Sequence, residues 1–202
     1  MRFSIIIPAY NSEQYIRKAL DSIKQQAFTD YELIVICDSC EDNTQQIAEE
    51  YGAITKKVYN HCDGPTRNAG LDLAKGEYVL FMDDDDWWLH EYVLWQLDKK
   101  LTEEQNPDVL CFSFIFKHCG YATPVRDEYV PQRWIATWNK CWKRKFIGQT
   151  RFPNIPFKSD THFNQNMINK GGRWVDWDMP IYYYNYKRKG SQTEQREGGV
   201  NG

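Results

Sequence analysis

Apolar and polar residues alternate along the first hundred residues in two repeating rhythms. Phe3 to Ile7 is a short apolar run closed by Pro8, the pattern of a strand buried on both faces. Asn11-Ser12 then supply an N-cap for a helix from Glu13 to about Gln26, with Tyr15, Ala19, Leu20 and Ile23 on one face. The unit repeats. Tyr31 to Cys37 reads as a second strand, and Asp42 opens a helix running to Tyr51. A third short strand follows Ala53 and ends at Val58-Tyr59. Gly64-Pro65 breaks the chain before a helix from Thr66 to Ala74, and Gly76 precedes a strand from Tyr78 to Met82. A further helix is expected to begin near Trp87. This order predicts an α/β fold, a largely parallel sheet with helices on both faces, joined by right-handed crossovers. The loops Pro8-Ala9-Tyr10, Cys37-Asp38-Ser39 and Asp83 to Asp86 should converge at one edge of that sheet.

The rhythm changes after Asn106-Pro107. Val109 to Phe116 is another strand, and residues 117 to 133 show no period, as in a loop or hairpin. Trp134, Trp138 and Trp142 recur every fourth residue, which predicts one face of a helix. That face would pack into the core or offer a sugar a stacking platform. Asp160 to Asn169 reads as a helix, Trp174 to Trp177 and Ile181 to Tyr186 as strands, and the tail from Gly198 as loose. With 202 residues the chain is expected to form one domain, with halves 1–110 and 111–197 and a tail 198–202.

Charge divides along the same line. Residues 1–110 hold 10 Lys and Arg against 21 Asp and Glu, and residues 111–202 hold 15 against 7. An acidic half that attracts cations joined to a basic half implies two ligands, the second of them anionic. No apolar stretch is long enough to span a bilayer, and Met1 leads directly into the first strand, so neither a signal peptide nor an anchor is expected. The six scattered cysteines lack the spacing of a disulfide scaffold, which points to a reducing, cytoplasmic compartment. Cys37-x-x-Cys40 with His61-Cys62 also admits a redox or zinc reading.

Asp83 to Asp86 follow the fourth strand without a spacer. Four carboxylates crowded at a strand end repel one another unless something positive sits among them. A hard divalent cation, Mg²⁺ or Mn²⁺, completed by phosphate oxygens, answers that need. A solvated acidic turn at a helix N-terminus is the alternative.

Four stretches together resemble the family 2 glycosyltransferases: SIIIPAYNSEQYIRKALDSIKQQ, ELIVICDSCEDNT, GPTRNAGLDLAKGEYVLFMDDDDWW, and FPNIPFKSDTHFNQNMINKGGRWVDWDMPIYYY. The resemblance implies a GT-A fold, a Rossmann-like sheet with a small acceptor-side segment, that binds a nucleotide-diphospho-sugar, with UDP favoured. It implies that Pro8, Ala9 and Tyr10 line the base pocket, that Asp38 accepts the uracil imide proton, and that Arg67 lies near the nucleotide. Asp83 and Asp84 cover ribose and metal positions, and Asp85, with Asp83, holds Mn²⁺ or Mg²⁺. Asp160 matches the general base of an inverting transfer to an acceptor hydroxyl. Trp87, Trp138, Lys187 and Arg188 fall on the acceptor side. The default acceptor is a glycan or lipid-linked sugar, with a peripheral place at the inner membrane face as the alternative to a free cytoplasmic one. The basic half extends this to anionic acceptors, including a teichoic-type polymer or a hydroxylated base in nucleic acid, the last with steep salt dependence.

Three positions depart from the family pattern. Cys37 stands where an acid is frequent, Ser159 replaces the usual Glu before Asp160, and YYYNYKRKGSQT lacks the histidine of some members. Ser159 leaves open a second reading, a nucleotide-sugar-binding module without turnover.

Overall fold

A computed structural model describes residues 1–116, 122–123 and 136–185. The chain runs β1 (Phe3–Ala9), α1 (Ile16–Lys24), β2 (Tyr31–Asp38), α2 (Thr44–Glu50), β3 (Ile54–Val58), α3 (Asp63–Leu73), β4 (Tyr78–Phe81), β5 (Trp87–Trp88) and α4 (Val93–Glu103). It continues through β6 (Val109–Phe116), β7 (Ala122–Thr123), β8 (Lys140–Lys143), α5 (Arg144–Ile147), α6 (Ser159–Asn169) and β9 (Trp174–Tyr184). One sheet of nine strands has the order β3-β2-β1-β4-β8-β6-β9-β5, with β7 against β6.

The first four strands in that order pair in parallel. β8 enters antiparallel between β4 and β6, while β9 runs parallel to β6. The expected α/β architecture is present, and its second half is mixed in direction. Successive residues of β1 point to opposite faces. Ile5 and Ile7 join the core formed with Ile16, Leu20 and Ile23 of α1 and Leu94 and Leu97 of α4. Ile6 joins the opposite core with Leu71 of α3 and Phe163 and Met167 of α6. Among the described residues no helix is long and apolar enough to cross a membrane.

Several expected boundaries are corrected. Helix α1 starts at Ile16, and neither Asn11 nor Ser12 caps it with a side chain. Asn11 is left-handed, φ 44°, and its Oδ1 accepts the Glu41 amide at 2.9 Å, so it ties two loops together. Gly64 and Pro65 lie inside the first turn of α3, where a missing amide proton costs nothing. A Cβ at Gly64 would run into the Pro153 carbonyl oxygen. No helix begins at Trp87: Trp87 and Trp88 form the edge strand β5 on β9. The tryptophan helix is absent where described. Trp142 lies in β8 and Trp138 in the turn before it, while Trp134 lies outside the described residues. A four-residue spacing is shared by one helical face and, as here, by two residues that both enter the core from a turn and a strand. The two expected C-terminal strands are one, β9, whose pairing with β6 is irregular around Ser113.

Candidate active site

The sheet gathers the ends of β1, β2 and β4 at one edge. The Tyr10 amide donates to Asp84 Oδ2 at 3.3 Å, and Ser12 N donates to Thr44 Oγ1 at 2.8 Å. Cys40 Sγ donates to the Ala9 carbonyl at 3.3 Å. The residues Asn11, Ser39 and His61, each just beyond one of the first three strands, have φ of 44°, 56° and 50°. Left-handed non-glycine backbone is costly, and its concentration here marks a constrained edge. Tyr10 keeps its ring outside, 62% exposed, while Ala9 is buried and Pro8 half-buried. Cys37, Cys40 and Cys62 are free thiols, and Cys62 donates away from the other two, to the Ile155 carbonyl at 3.0 Å.

Asp38 is buried beneath this edge. Its Oδ1 accepts from the amides of Asn60 and His61 at 2.8 and 3.0 Å and from Ser39 Oγ at 3.2 Å. Its Oδ2 accepts from the Cys62 amide at 3.1 Å and Thr66 Oγ1 at 2.7 Å. A carboxylate has about four lone-pair sites, so these donors fill it. These contacts order the loop between β3 and α3 around the residue that the family resemblance assigns to an imide proton of the base. Burial raises its pKa, but the Thr66 hydroxyl and the three amides outweigh that and hold it below the usual range.

The aspartate run divides into four environments. Asp83 Oδ1 accepts from Arg67 Nη2 at 2.9 Å. Burial pushes its pKa up to about 7 against the pull of Arg67, with Asp85, Asp160 and Asp63 adding repulsion. Asp84 is buried and grips the Tyr10 amide. Asp85 is partly open. Asp86 is fully buried, accepting from the Tyr182 hydroxyl at 2.7 Å and the Asn185 amide at 2.8 Å. Burial, then Asp83 and Asp85, raise its pKa well above the carboxylate range. It fastens the end of β9 to the run.

Arg67, expected beside the nucleotide, is 4% exposed and lies among acids. Besides Asp83, its Nη1 sits 3.4 Å from Asp63 and 3.5 Å from Asp160. Burial opposes its charge, but Asp160, Asp63 and Asp83 outweigh it and raise the pKa. One guanidinium thus joins α3, the aspartate run and α6. Asp160, the second residue of α6, also accepts from Thr137 Oγ1 at 3.1 Å. Its neighbour Ser159 is buried against α3, its Cβ 3.2 Å from where a Gly64 Cβ would lie.

Of the residues assigned to the acceptor by resemblance, Trp87 stacks on Tyr183 at 4.1 Å and holds the Lys18 ammonium 3.2 Å from its ring centre. Trp138 is 7% exposed, stacked on Tyr182 at 4.8 Å and edge-on to Phe114 at 4.6 Å. It is core, not an open platform. Lys187 and Arg188 lie outside the described residues. Thr66 and Thr137 escaped sequence reasoning, since a threonine in a turn or first helical turn carries no pattern of its own.

The chain matches the model of glycosyl transferase family 2 over residues 4–166. It is 29% identical to Glycosyltransferase GlyA of Streptococcus pneumoniae, an alignment covering 94% of this chain and 31% of that protein. It is 38% identical to a poly(ribitol-phosphate) beta-glucosyltransferase of Bacillus spizizenii, covering 94% of this chain and 33% of that protein. The solved structure of Staphylococcus aureus TarS 1–349 in complex with UDP-GlcNAc superposes with a TM-score of 0.83 at 26% identity, covering 96% of this chain and 61% of that one. The chain therefore spans about a third of the length of these two relatives. Fold, strand-end acids and a match over most of its length place this chain in glycosyl transferase family 2.

Proposed function

We propose that this chain transfers a sugar from a nucleotide-diphospho-sugar, a UDP sugar, to an acceptor hydroxyl, inverting the anomeric carbon. The observation that carries the reading is Arg67, which holds Asp83 and Asp160 to one guanidinium and so joins the donor-side acids to a carboxylate from the later half. The likeness to TarS bound to UDP-GlcNAc supports the donor class.

Asp160 takes the proton of the acceptor hydroxyl as that oxygen attacks the anomeric carbon from the face opposite the leaving diphosphate. Arg67 sets its guanidinium 3.5 Å from Asp160 Oδ1 and 2.9 Å from Asp83 Oδ1, so the cation links the base to the aspartate run. Tyr10, exposed at the edge, offers its ring to the base, and Asp84 fixes the backbone that carries it. The donor set of the run is hard carboxylate oxygen with more negative charge than Arg67 balances, which fits Mn²⁺ or Mg²⁺. Among the described residues no three such side chains form a cage, so Asp85, aided by Asp83, would hold the ion together with donor phosphate oxygens. When bound, that ion stabilises negative charge on the departing nucleotide. The basic residues of the second half favour an anionic acceptor glycan.

A panel of UDP-, GDP- and TDP-sugars with Mn²⁺, read by nucleotide release, tests the reading. Turnover is expected to favour UDP and to fall by about 10²- to 10⁴-fold in Asp160→Asn with donor binding retained. UDP binding without release from any donor would make the chain a binding module. Wild-type turnover in Asp160→Asn would remove the assigned base.

A further inference from the structure

Thr137 is fully buried, and its hydroxyl meets Asp160 Oδ2 at 3.1 Å. The turn that carries it is fixed on every side. Trp142 Nε1 donates to the Thr137 carbonyl at 3.1 Å. The Lys140 ammonium donates to the Ala136 carbonyl and to Asn139 Oδ1, and the Phe112 amide donates to the Asn139 carbonyl at 3.0 Å. These bonds tie the turn to β6 and β8, so the sheet sets where the hydroxyl points. The other carboxylate oxygen, Asp160 Oδ1, is shielded from solvent and accepts no hydrogen bond among the described residues. Oδ1 instead faces Arg67 Nη1 at 3.5 Å, and the Asp160 side chain as a whole keeps 24% exposure, which leaves Oδ2, the oxygen that Thr137 holds, as the one to meet an acceptor.

We propose that Thr137 is a positioning residue for sugar transfer, its hydroxyl fixing the rotation of the Asp160 carboxylate so that Oδ2 faces the incoming acceptor. This rests on Asp160 being the base. A carboxylate oxygen offers two lone pairs; Thr137 takes one and aims the other. In the step, the acceptor proton moves to Oδ2, the acceptor oxygen bonds the anomeric carbon, and the sugar–phosphate bond breaks with its electron pair leaving on the nucleoside diphosphate. The Thr137 proton stays on its own oxygen. Misplacement of a reacting group by about 1 Å can cost about 100-fold in rate, so a carboxylate released to rotate loses turnover without losing donor affinity.

Thr137→Val keeps the shape and removes the hydroxyl; Thr137→Ser keeps the hydroxyl. Both are compared with Asp160→Asn in the full chain, using UDP-GlcNAc, Mn²⁺ and a synthetic ribitol-phosphate oligomer as acceptor, alongside a crystal structure of Thr137→Val. The expected result is a kcat about 10- to 100-fold lower in Thr137→Val with unchanged KM for UDP-GlcNAc, most of it regained in Thr137→Ser. In the crystal, the Asp160 carboxylate should be rotated or split between orientations. Wild-type kcat in Thr137→Val beside an inactive Asp160→Asn overturns the positioning role and leaves the base standing. Equal loss in the Val and Ser variants reduces Thr137 to packing. An unmoved carboxylate in the crystal overturns the proposal whatever the turnover. Wild-type turnover in Asp160→Asn is a different failure, that of the base itself, and takes the positioning role with it.

Discussion

The two sides of the sheet reach the same edge by different means. From β1 to β4 the strands are parallel and buried, and the chain fixes its loops through backbone: Asp38 collects three amides, Asp84 one, Thr44 another. From β8 to β9 the strands run in both directions and are held by rings, Trp138 on Tyr182, Trp142 against Phe163 and Trp174, Phe152 on Phe163. The first side fixes its loop edge by tying main chain. The second delivers one carboxylate, Asp160, from a helix packed on the sheet through those rings. Main-chain construction tolerates many sequences at the loops, whereas the second side depends on particular bulky residues and a few polar contacts.

Arg67 is where the two constructions meet, and removing it is the largest expected effect. Arg67→Met preserves length but leaves Asp83 and Asp160 without their shared cation. Breaking a buried ion pair from one side costs about 3–5 kcal/mol. Denaturant unfolding should show that loss, and amide exchange should show α6 opening before β1 and β2 do. A wild-type midpoint would mean that the two sides are held by their hydrophobic cores alone, and that the guanidinium contributes chemistry without stability.

That contrast also explains what the sequence disclosed. Leu33 to Cys37 and Tyr78 to Phe81 are continuous apolar runs, and Phe3 to Ile7 is one broken by Ser4 alone, because both faces of each strand are covered, and such runs stand out without neighbours. The convergence of Tyr10 and Asp84 followed from topology. The second side was harder. Trp138 and Trp142 have helical spacing, but Trp142 is drawn into a four-residue strand by β4 and β6, partners distant in sequence. Trp87 sits where a helix was expected because β9, nearly a hundred residues on, pairs with it. The motif singled out Asp160, Asp38 and Arg67 as candidates, yet it could not say that Asp38 is saturated by its own loop or that Arg67 is sealed among acids. Those facts depend on which polar groups lie within 3.5 Å, and that is a property of packing.

Asp38 offers the second test, confined to the main-chain side. Hydrogen bonds to a charged group contribute about 1.5–3 kcal/mol, so Asp38→Asn, which keeps one acceptor oxygen, should cost about 2–3 kcal/mol. The sign with pH follows from its lowered pKa. A carboxylate stabilised in the folded state contributes fully above its unfolded value near 3.9 and loses that contribution as pH falls toward the folded value. Thermal unfolding should therefore separate wild type from Asp38→Asn at pH 6 and bring them together below about pH 4. Curves that stay parallel through that range would show the loop to be held without the charge.

The smallest effect probes how closely α3 lies on the sheet, which sets where Arg67 begins. A Cβ at Gly70 would overlap Ile6 Cγ2 and touch Ile36. Alanine gains about 1 kcal/mol of helix propensity over glycine, while overpacking a core costs about 1–3 kcal/mol, so Gly70→Ala should destabilise by about 1 kcal/mol. The branch methyl of Ile6 is too near the backbone to swing aside. Ile6→Ala removes that methyl, and in its background Gly70→Ala should become stabilising because the new methyl fills the space vacated. The coupling between the two substitutions, read from a double-mutant cycle of unfolding free energies, should thus be favourable. Simple additivity would show that α3 can lift from the sheet, in which case the position of Arg67 is set by its three acids and not by the glycine beneath the helix.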